Sequence, residues 1–201
     1  VVAPERQAAA HLADGKATEA LAAYESVGAI HLADNHDETV SAMLSDWNEY
    51  RLANPGKSTL ILANDNATVR EINALVREQL RKEGELGEKS ITLQTSDMRS
   101  TYEAEFSVGD RIACRQNDKK MNITGNQPRK VGVFNRTQGT IEAIGKTSDG
   151  APELTIRLDS GGTVKIRCDE KGYWNKGDGK KGKNAGVPIM HAYCSTIYAS
   201  Q

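Results

Sequence analysis

Apolar residues recur at helical spacing along the first quarter of the chain, and this pattern predicts three helices. Two short helices are predicted at residues 4–11 and 18–27, because each run ends at a glycine turn. Residues 29–33 predict a short strand. Asn35 or Asp37 can cap a longer third helix, which an Asn-Pro-Gly turn at 54–56 ends.

The next segment predicts the strand and helix of an α/β layer. Residues 58–63 form a continuous apolar run, which is typical of a strand buried on both faces of a parallel sheet. The helix that follows places one set of apolar side chains inward, namely Val69, Ile72, Leu75, Val76 and Leu80. Strand, helix, strand and helix in this order predict βαβ topology.

After Gly87 the apolar spacing changes from helical to alternating. Six short strands are predicted, at residues 90–95, 102–106, 111–115, 137–144, 153–158 and 163–168. Residues 159–162, Asp-Ser-Gly-Gly, predict a hairpin turn between the last two strands. Such spacing indicates a small β-barrel. Residues 173–186 are rich in Gly, Lys and Asn, so they predict a flexible linker before the terminal strand.

The net charge of the chain does not decide whether it binds nucleic acid, but the distribution of charge along the sequence indicates where such a site would lie. The chain has 26 basic and 27 acidic residues, so the bulk balance does not require a nucleic-acid partner. Basic residues outnumber acidic ones from Arg111 to Lys183, and this asymmetry would place a polyanion site in the second half. Three separated cysteines without a C-x-x-C pair favour a reducing, cytoplasmic location. No apolar run approaches the roughly 20 residues needed to span a bilayer, so no membrane insertion is expected.

The segments that resemble cofactor-binding or metal-binding motifs lack the neighbouring residues and elements that such sites require. Residues 177–184 have the spacing of a phosphate-binding loop, but they lack a preceding buried strand, a following helix and a Ser or Thr for magnesium. The four histidines lack metal-ligand spacing. We therefore expect no catalytic residue, no metal site and no cofactor within this chain.

The last eleven residues resemble the fifth conserved motif (motif V) of RecD-like superfamily 1 helicases. The matching residues are His191, Tyr193, Thr196, Ser200 and Gln201, whereas Ala192, Tyr198 and Ala199 depart from the usual text. Because the chain stops inside this motif, we expect it to be a piece of a longer protein.

Two further segments extend the resemblance. Residues 60–73 are similar to the fourth-motif strand and helix, ending on Asn73, and residues 106–140 resemble the SH3-like barrel inserted before motif V. Gly109-Asp110 turns the chain into a strand there, and Gly139 allows a close approach of strands. Arg136 replaces a glycine that the family usually has. Taken in order, these segments most resemble the helicase part of conjugative relaxases of the TraA/TraI type.

The resemblance implies a fold and a division of the chain. The implied fold is α/β, a partial RecA-like layer with an inserted small SH3-like β-barrel. Residues 1–89 would belong to the second RecA-like domain, 90–172 to the barrel, 173–186 to the linker, and 187–201 to a strand that returns to the RecA-like domain.

The resemblance also implies a function. The parent would be a relaxase and ATP-dependent helicase that uses ATP and Mg²⁺ on single-stranded plasmid DNA, and the chain alone would be inactive. A type IV secretion coupling protein is an implied further partner. The expected DNA contacts are Asn64, Asn66, Arg111, Arg115, Asn117, Lys119, Lys120, Arg129, Lys130, Thr196 and Ser200. The alternative is a standalone, non-enzymatic nucleic-acid-binding module, which would have no Walker motifs upstream.

Overall fold

A computed structural model of the chain describes residues 4–96, 101–118, 123–125, 132–169 and 186–197. The protein has an α/β fold with four helices and nine strands in these ranges. Its contacts divide it into two compact units, Val1–Tyr50 and Arg51–Gln201. The boundary predicted between residues 89 and 90 therefore lies inside the second unit.

The first unit is helical. It contains α1 (Pro4–Ala13), α2 (Ala17–Ser26) and most of α3 (His36–Ala53), which confirms the three predicted helices. The side chain of Asn35 caps α3 by accepting the amide of Glu38 at 2.9 Å. The strand predicted at 29–33 is wrong, because these residues form no regular element. Leu32 is 92% exposed and so lacks the packing that a buried strand requires.

The second unit begins with a small parallel layer. Strand β1 (Ile61–Ala63) leads into α4 (Asn66–Lys82), and β1 pairs in parallel with the last strand, β9 (Cys194–Thr196). The predicted inward face of α4 is confirmed for four of its five residues, since Val69, Ile72, Val76 and Leu80 are buried. The strand is shorter than the predicted 58–63.

The rest of the second unit is antiparallel. A hairpin is formed by β2 (Ser90–Ser96) and β3 (Thr101–Ser107), and a five-stranded sheet has the order β7-β6-β5-β4-β8. The strands of the sheet are β4 (Arg111–Cys114), β5 (Gln138–Lys146), β6 (Pro152–Leu158), β7 (Thr163–Arg167) and β8 (Ile189–His191). All six strands predicted between residues 90 and 168 are present, and β6 and β7 are joined by the predicted turn.

One hydrophobic core joins the hairpin to the sheet. Leu93 and Phe106 of the hairpin belong to the same buried cluster as Ile112, Leu154 and Ile166. An isolated bridge between Thr95 and Val187 also connects them. Within the described ranges the pairing leaves the hairpin and the sheet as separate ladders, not a closed ring of strands.

The terminal segment differs from the single return strand that the sequence predicts. Strand β8 pairs antiparallel with β4, with Ile112 opposite His191, and only β9 returns to the α/β layer. Ile189 is fully buried in the core of the antiparallel part. The chain therefore crosses between sheets at Ala192 and Tyr193, and the residues from 187 to 191 belong with the antiparallel sheet.

Two positions in the antiparallel part carry special backbone requirements. A β-carbon on Gly139 would lie 2.4 Å from the carbonyl oxygen of Arg157, which confirms the predicted close approach of strands. Arg136 has a φ of 72°, so a residue with a β-carbon adopts the left-handed backbone conformation that glycine takes more readily.

Candidate nucleic-acid interface

The parallel pairing of β1 with β9 brings two predicted contact residues to one edge. Ala63 lies opposite Thr196 in the register, so Asn64, which follows β1, and Thr196 both lie at the carboxyl ends of their strands. Asn64 is exposed, and Asn66 and Thr196 are half-buried. In open α/β sheets this edge is where ligands bind. We call Asn64, Asn66 and Thr196 the carboxyl edge.

The N-terminus of the helix that begins at this edge, α4, is capped by a carboxylate of the protein itself. Asp65 caps α4, and its Oδ1 accepts the amides of Ala67 at 2.8 Å and Thr68 at 3.0 Å. The Thr68 hydroxyl donates to the other oxygen of Asp65 at 2.9 Å. Because a carboxylate occupies these amides, the edge offers neutral hydrogen-bonding groups and no phosphate cradle.

Asn73 holds β9 against α4. Its Oδ1 accepts the amides of Tyr193 at 3.0 Å and Cys194 at 2.9 Å, and its Nδ2 donates to the carbonyl of Cys194 at 3.3 Å. The side chain is buried, so these bonds exclude water. The sequence pointed to Asn73 through the fourth-motif resemblance but gave no sign of this role, which positions Thr196.

A buried carboxylate connects α4 to the antiparallel sheet. Asp110 is fully buried, and its Oδ2 accepts the Nε of Arg77 at 2.9 Å and the amide of Ser107 at 2.6 Å. Its Oδ1 accepts the hydroxyl of Tyr193 at 2.8 Å, and the Tyr193 oxygen in turn accepts the amide of Arg111 at 3.2 Å. We call Asp110, Arg77 and Tyr193 the buried hub.

Charges and hydrogen bonds around the hub favour the ionised form of its carboxylate. Burial raises the pKa of Asp110, whereas His191, Arg77 and the Ser107 amide lower it, and the lowering prevails. Burial likewise raises the pKa of the Tyr193 hydroxyl, and the adjacent Asp110 carboxylate raises it further, so Tyr193 remains a donor.

Glu105 adds a second acidic partner at the rim of the hub. Its Oε2 accepts Nη1 of Arg77 at 3.1 Å and Nη2 of Arg81 at 2.9 Å. A hydrogen bond from Ser90 and these arginines lower the pKa of Glu105 to about 2, although burial acts in the opposite direction. The arrangement is a structural ion-pair network, because its buried groups are paired internally.

The structure divides the predicted motif V residues between different surroundings. His191 lies in β8, where its ring stacks on Phe106 at 4.5 Å and its Nε2 is 3.1 Å from the carbonyl oxygen of Glu105. It therefore supports the antiparallel sheet, and only Thr196 reaches the carboxyl edge. Ser200 and Gln201 lie outside the described residues.

The predicted basic contacts also separate. Arg111 makes a two-pronged contact with Asp159, at 2.6 Å and 2.5 Å, and this ion pair raises its pKa. Arg115 is half-buried, and Asn117 is exposed with its Oδ1 accepting the amide of Asn135 at 2.7 Å. Lys119, Lys120, Arg129, Lys130 and the rejected phosphate loop at 177–184 lie outside the described residues.

Sequence reasoning missed the hub, although one signal was present. Arg77 lies on the buried face of α4, four residues after Asn73 and three before Leu80, where an apolar residue is usual. A charged residue on that stripe requires a buried partner of opposite charge. The pattern could therefore have indicated a buried ion pair, but it could not have identified Asp110 as the partner.

The described residues offer little for metal or thiol chemistry. In the ranges that the structure covers, no three His, Cys, Asp or Glu side chains gather as metal ligands would. The three cysteines are free and buried, and burial raises the pKa of Cys114 to about 12, which leaves its thiol protonated and unreactive at neutral pH. Among the described helices none combines the length and apolarity required to cross a bilayer.

Comparison with known proteins gives distant structural neighbours and two curated relatives. No family model matches the chain. Solved structures of Bacteroides Pif1 bound to single-stranded DNA, and of Bacteroides Pif1 helicase with ADP-AlF3 and single-stranded DNA, are 18% and 19% identical. The first alignment covers 74% of this chain and 33% of the Pif1 chain, with a TM-score of 0.41. The second covers 83% of this chain and 37% of the Pif1 chain, with a TM-score of 0.42. A likeness at this level assigns neither fold nor function.

Two curated sequences are more similar. The conjugal transfer protein TraA of Agrobacterium fabrum is 33% identical over 118 residues, and that of Rhizobium radiobacter is 32% identical over 119 residues. Each alignment covers 59% of this chain and 10% of the relative, so the match spans about a tenth of the length of these proteins. Over this stretch of 118 or 119 residues the chain is similar to the conjugal transfer protein TraA.

Proposed function

We propose that this chain is part of the helicase region of a conjugative relaxase, and that it contacts single-stranded DNA through the carboxyl edge. The homology with TraA supports the conjugative role. The observation that carries the DNA site is the parallel register of Ala63 with Thr196, which brings Asn64 and Thr196, each expected from a different motif, to one edge.

The proposal assigns each part of the chain to a domain of the longer parent protein. The α/β layer corresponds to part of a RecA-like domain, and the hairpin and five-stranded sheet correspond to an SH3-like barrel inserted into it. The ATP and Mg²⁺ of the parent would bind elsewhere in the longer protein. A type IV secretion coupling protein is a further proposed partner, on the resemblance alone. The free thiols suit a reducing compartment such as the cytoplasm.

The proposed DNA surface consists of two parts. The carboxyl edge supplies hydrogen bonds from Asn64, Asn66 and Thr196, and Ser200 would extend it. The segment that corresponds to the barrel would supply positive charge from Arg115, Lys119, Lys120, Arg129 and Lys130, and a hydrogen-bonding side chain from Asn117. We leave Arg111 out, because both of its terminal nitrogens bind Asp159.

Fluorescence anisotropy with a labelled oligothymidylate tests the surface. The double variant Asn64→Ala/Thr196→Val should weaken binding, whereas Thr92→Val, a threonine exposed on the separate β2–β3 hairpin, should not. The variant Arg115→Ala/Lys119→Ala/Lys120→Ala should reduce the slope of log affinity against log salt by about 2, at roughly 0.7 per phosphate contact. Unchanged binding in both multiple variants would exclude this surface.

A further inference from the structure

The turn at residues 133–137 presents an aromatic side chain to solvent. Val133 is buried in the core, yet Phe134 beside it is 50% exposed. The chain has one other phenylalanine, Phe106, and that one is fully buried. An aromatic ring outside the core is a surface on which another flat ring can stack.

The backbone around Phe134 is held by hydrogen bonds on both sides of the turn. The Phe134 amide donates to the hydroxyl of Thr137 at 3.0 Å, and the Thr137 amide donates to the carbonyl of Phe134 at 2.9 Å. The Asn135 amide donates to the side chain of Asn117 at 2.7 Å. The Arg136 amide donates to the carbonyl of Cys114 in β4 at 2.7 Å. The ring is thus carried on a preorganised turn, which lowers the entropy cost of binding.

The turn also contains the one non-glycine residue with positive φ among the described residues. Arg136, at 72°, adopts a backbone conformation that a residue with a β-carbon rarely takes. Strained residues of this kind concentrate at ligand-binding sites. Here the strained position carries an exposed guanidinium two residues from the exposed ring.

Basic residues lie in both chain segments that form this turn. The bond from Arg136 to Cys114 brings the next residue of the chain, Arg115, close to the turn. Two guanidinium groups and one carboxylate, that of Asp118, lie in the two segments that form this turn. An aromatic platform beside net positive charge matches a base attached to a phosphate backbone.

We propose that this turn is a base-stacking subsite, in which Phe134 packs against one base of a single strand while Arg115 and Arg136 supply positive charge for its backbone. The subsite rests on the proposed function and adds to it a contact with the bases themselves. It is independent of base identity, because every base has a flat face.

Two oligonucleotides of equal length and charge test the stacking, one of thymidines and one of abasic sugars. Phe134→Ala should weaken binding of the thymidine strand at least about fivefold and leave the abasic strand unchanged. Phe134→Trp should restore the loss. The dependence of affinity on salt should be the same for all three proteins, because no charge changes. Tyr50→Ala, which removes a similarly exposed aromatic at 46%, should have no effect.

The outcomes separate this subsite from the proposed function. If the wild-type chain and Phe134→Ala bound the thymidine strand with equal affinity, the subsite would be refuted, but the proposed DNA binding would stand. An equal loss on the abasic strand, or the same loss for Tyr50→Ala, would also refute it. A wild-type chain that binds neither strand at low salt would refute the proposed function, and the subsite with it. Circular dichroism melts of each variant confirm that folding is retained.

Discussion

Removing the hydroxyl of Tyr193 tests whether the buried hub stabilises the junction between the two parts of the second unit. This hydroxyl donates to Asp110 at 2.8 Å and accepts the Arg111 amide at 3.2 Å. In Tyr193→Phe the ring can pack as before, but a buried carboxylate oxygen and a backbone amide each lose a partner. Asp110 is fully buried, so water cannot replace the bond that its carboxylate loses, and the Arg111 amide is partly buried.

The magnitude follows from the two bonds. A hydrogen bond to a charged group contributes about 1.5–3 kcal/mol and one to a neutral amide about 0.5–1.5 kcal/mol, so the free energy of unfolding should fall by roughly 2–4 kcal/mol. In an Asp110→Asn background the same change should cost less, about 1–3 kcal/mol, because both lost bonds then join neutral groups. Asp110→Asn alone leaves the Arg77 guanidinium without its buried counter-charge, which should cost about 3–5 kcal/mol.

Urea unfolding followed by circular dichroism measures these changes, and amide exchange of Arg111 reports the junction itself. Tyr50→Phe is the matched control, because its ring is 46% exposed and water can replace a lost bond. A Tyr193→Phe protein within about 0.5 kcal/mol of the parent would contradict the reasoning, since changes that small are typical of surface substitutions. Equal effects of Tyr193→Phe with and without Asp110→Asn would show that the two groups do not interact.

Three further predictions concern strand packing, turn strain and pH. Gly139→Ala should lower the free energy of unfolding by about 3 kcal/mol or more, because the added β-carbon would meet the Arg157 carbonyl oxygen. Gly145→Ala on the same strand is the control, because a β-carbon there meets open space. Equal melting temperatures of the two variants would contradict this. Arg136→Gly should stabilise by up to about 1 kcal/mol by relieving the left-handed backbone, and a lower urea midpoint would refute it. Folding lowers the pKa of Glu105 from 4.5 to about 2, so its ion pairs stabilise the protein fully above about pH 4.5, and this stabilisation is lost as the pH falls toward 2. Glu105→Gln should therefore flatten the dependence of the urea midpoint on pH. An unchanged dependence would contradict the assignment.

The antiparallel strands were predictable because their burial alternates along the chain. In β6, Leu154, Ile156 and Leu158 are buried with more exposed residues between them, and the predicted strand at 153–158 differs from the observed one by a single residue. The same holds for the inward face of α4, whose apolar residues recur at helical spacing. Each of these elements is specified by local periodicity, which sequence displays directly.

Features that depend on contacts between distant residues were not predictable. The apolar run from Val187 to Tyr193 contains no glycine that would mark a break after β8, so its pattern reads as one strand, whereas pairing with β4 divides it. The segment at 29–33 is apolar enough for a strand, but all of its residues except the partly buried Ile30 are exposed. The partners of Asn73 and Asp110 lie far away in sequence, and no local pattern records such pairings.

Hydrogen bonds through the buried hub and β4 connect the two proposed DNA-contacting surfaces. Asn73 holds the amides of Tyr193 and Cys194, which begin the strand that ends at the carboxyl edge. The Tyr193 hydroxyl binds the amide of Arg111 at the start of β4, and the carbonyl of Cys114 at the end of β4 accepts the amide of Arg136 in the stacking turn. The edge and the turn are therefore attached to opposite ends of one short strand. A single DNA strand that contacts both would meet surfaces already held in place, and little ordering of the protein would oppose binding.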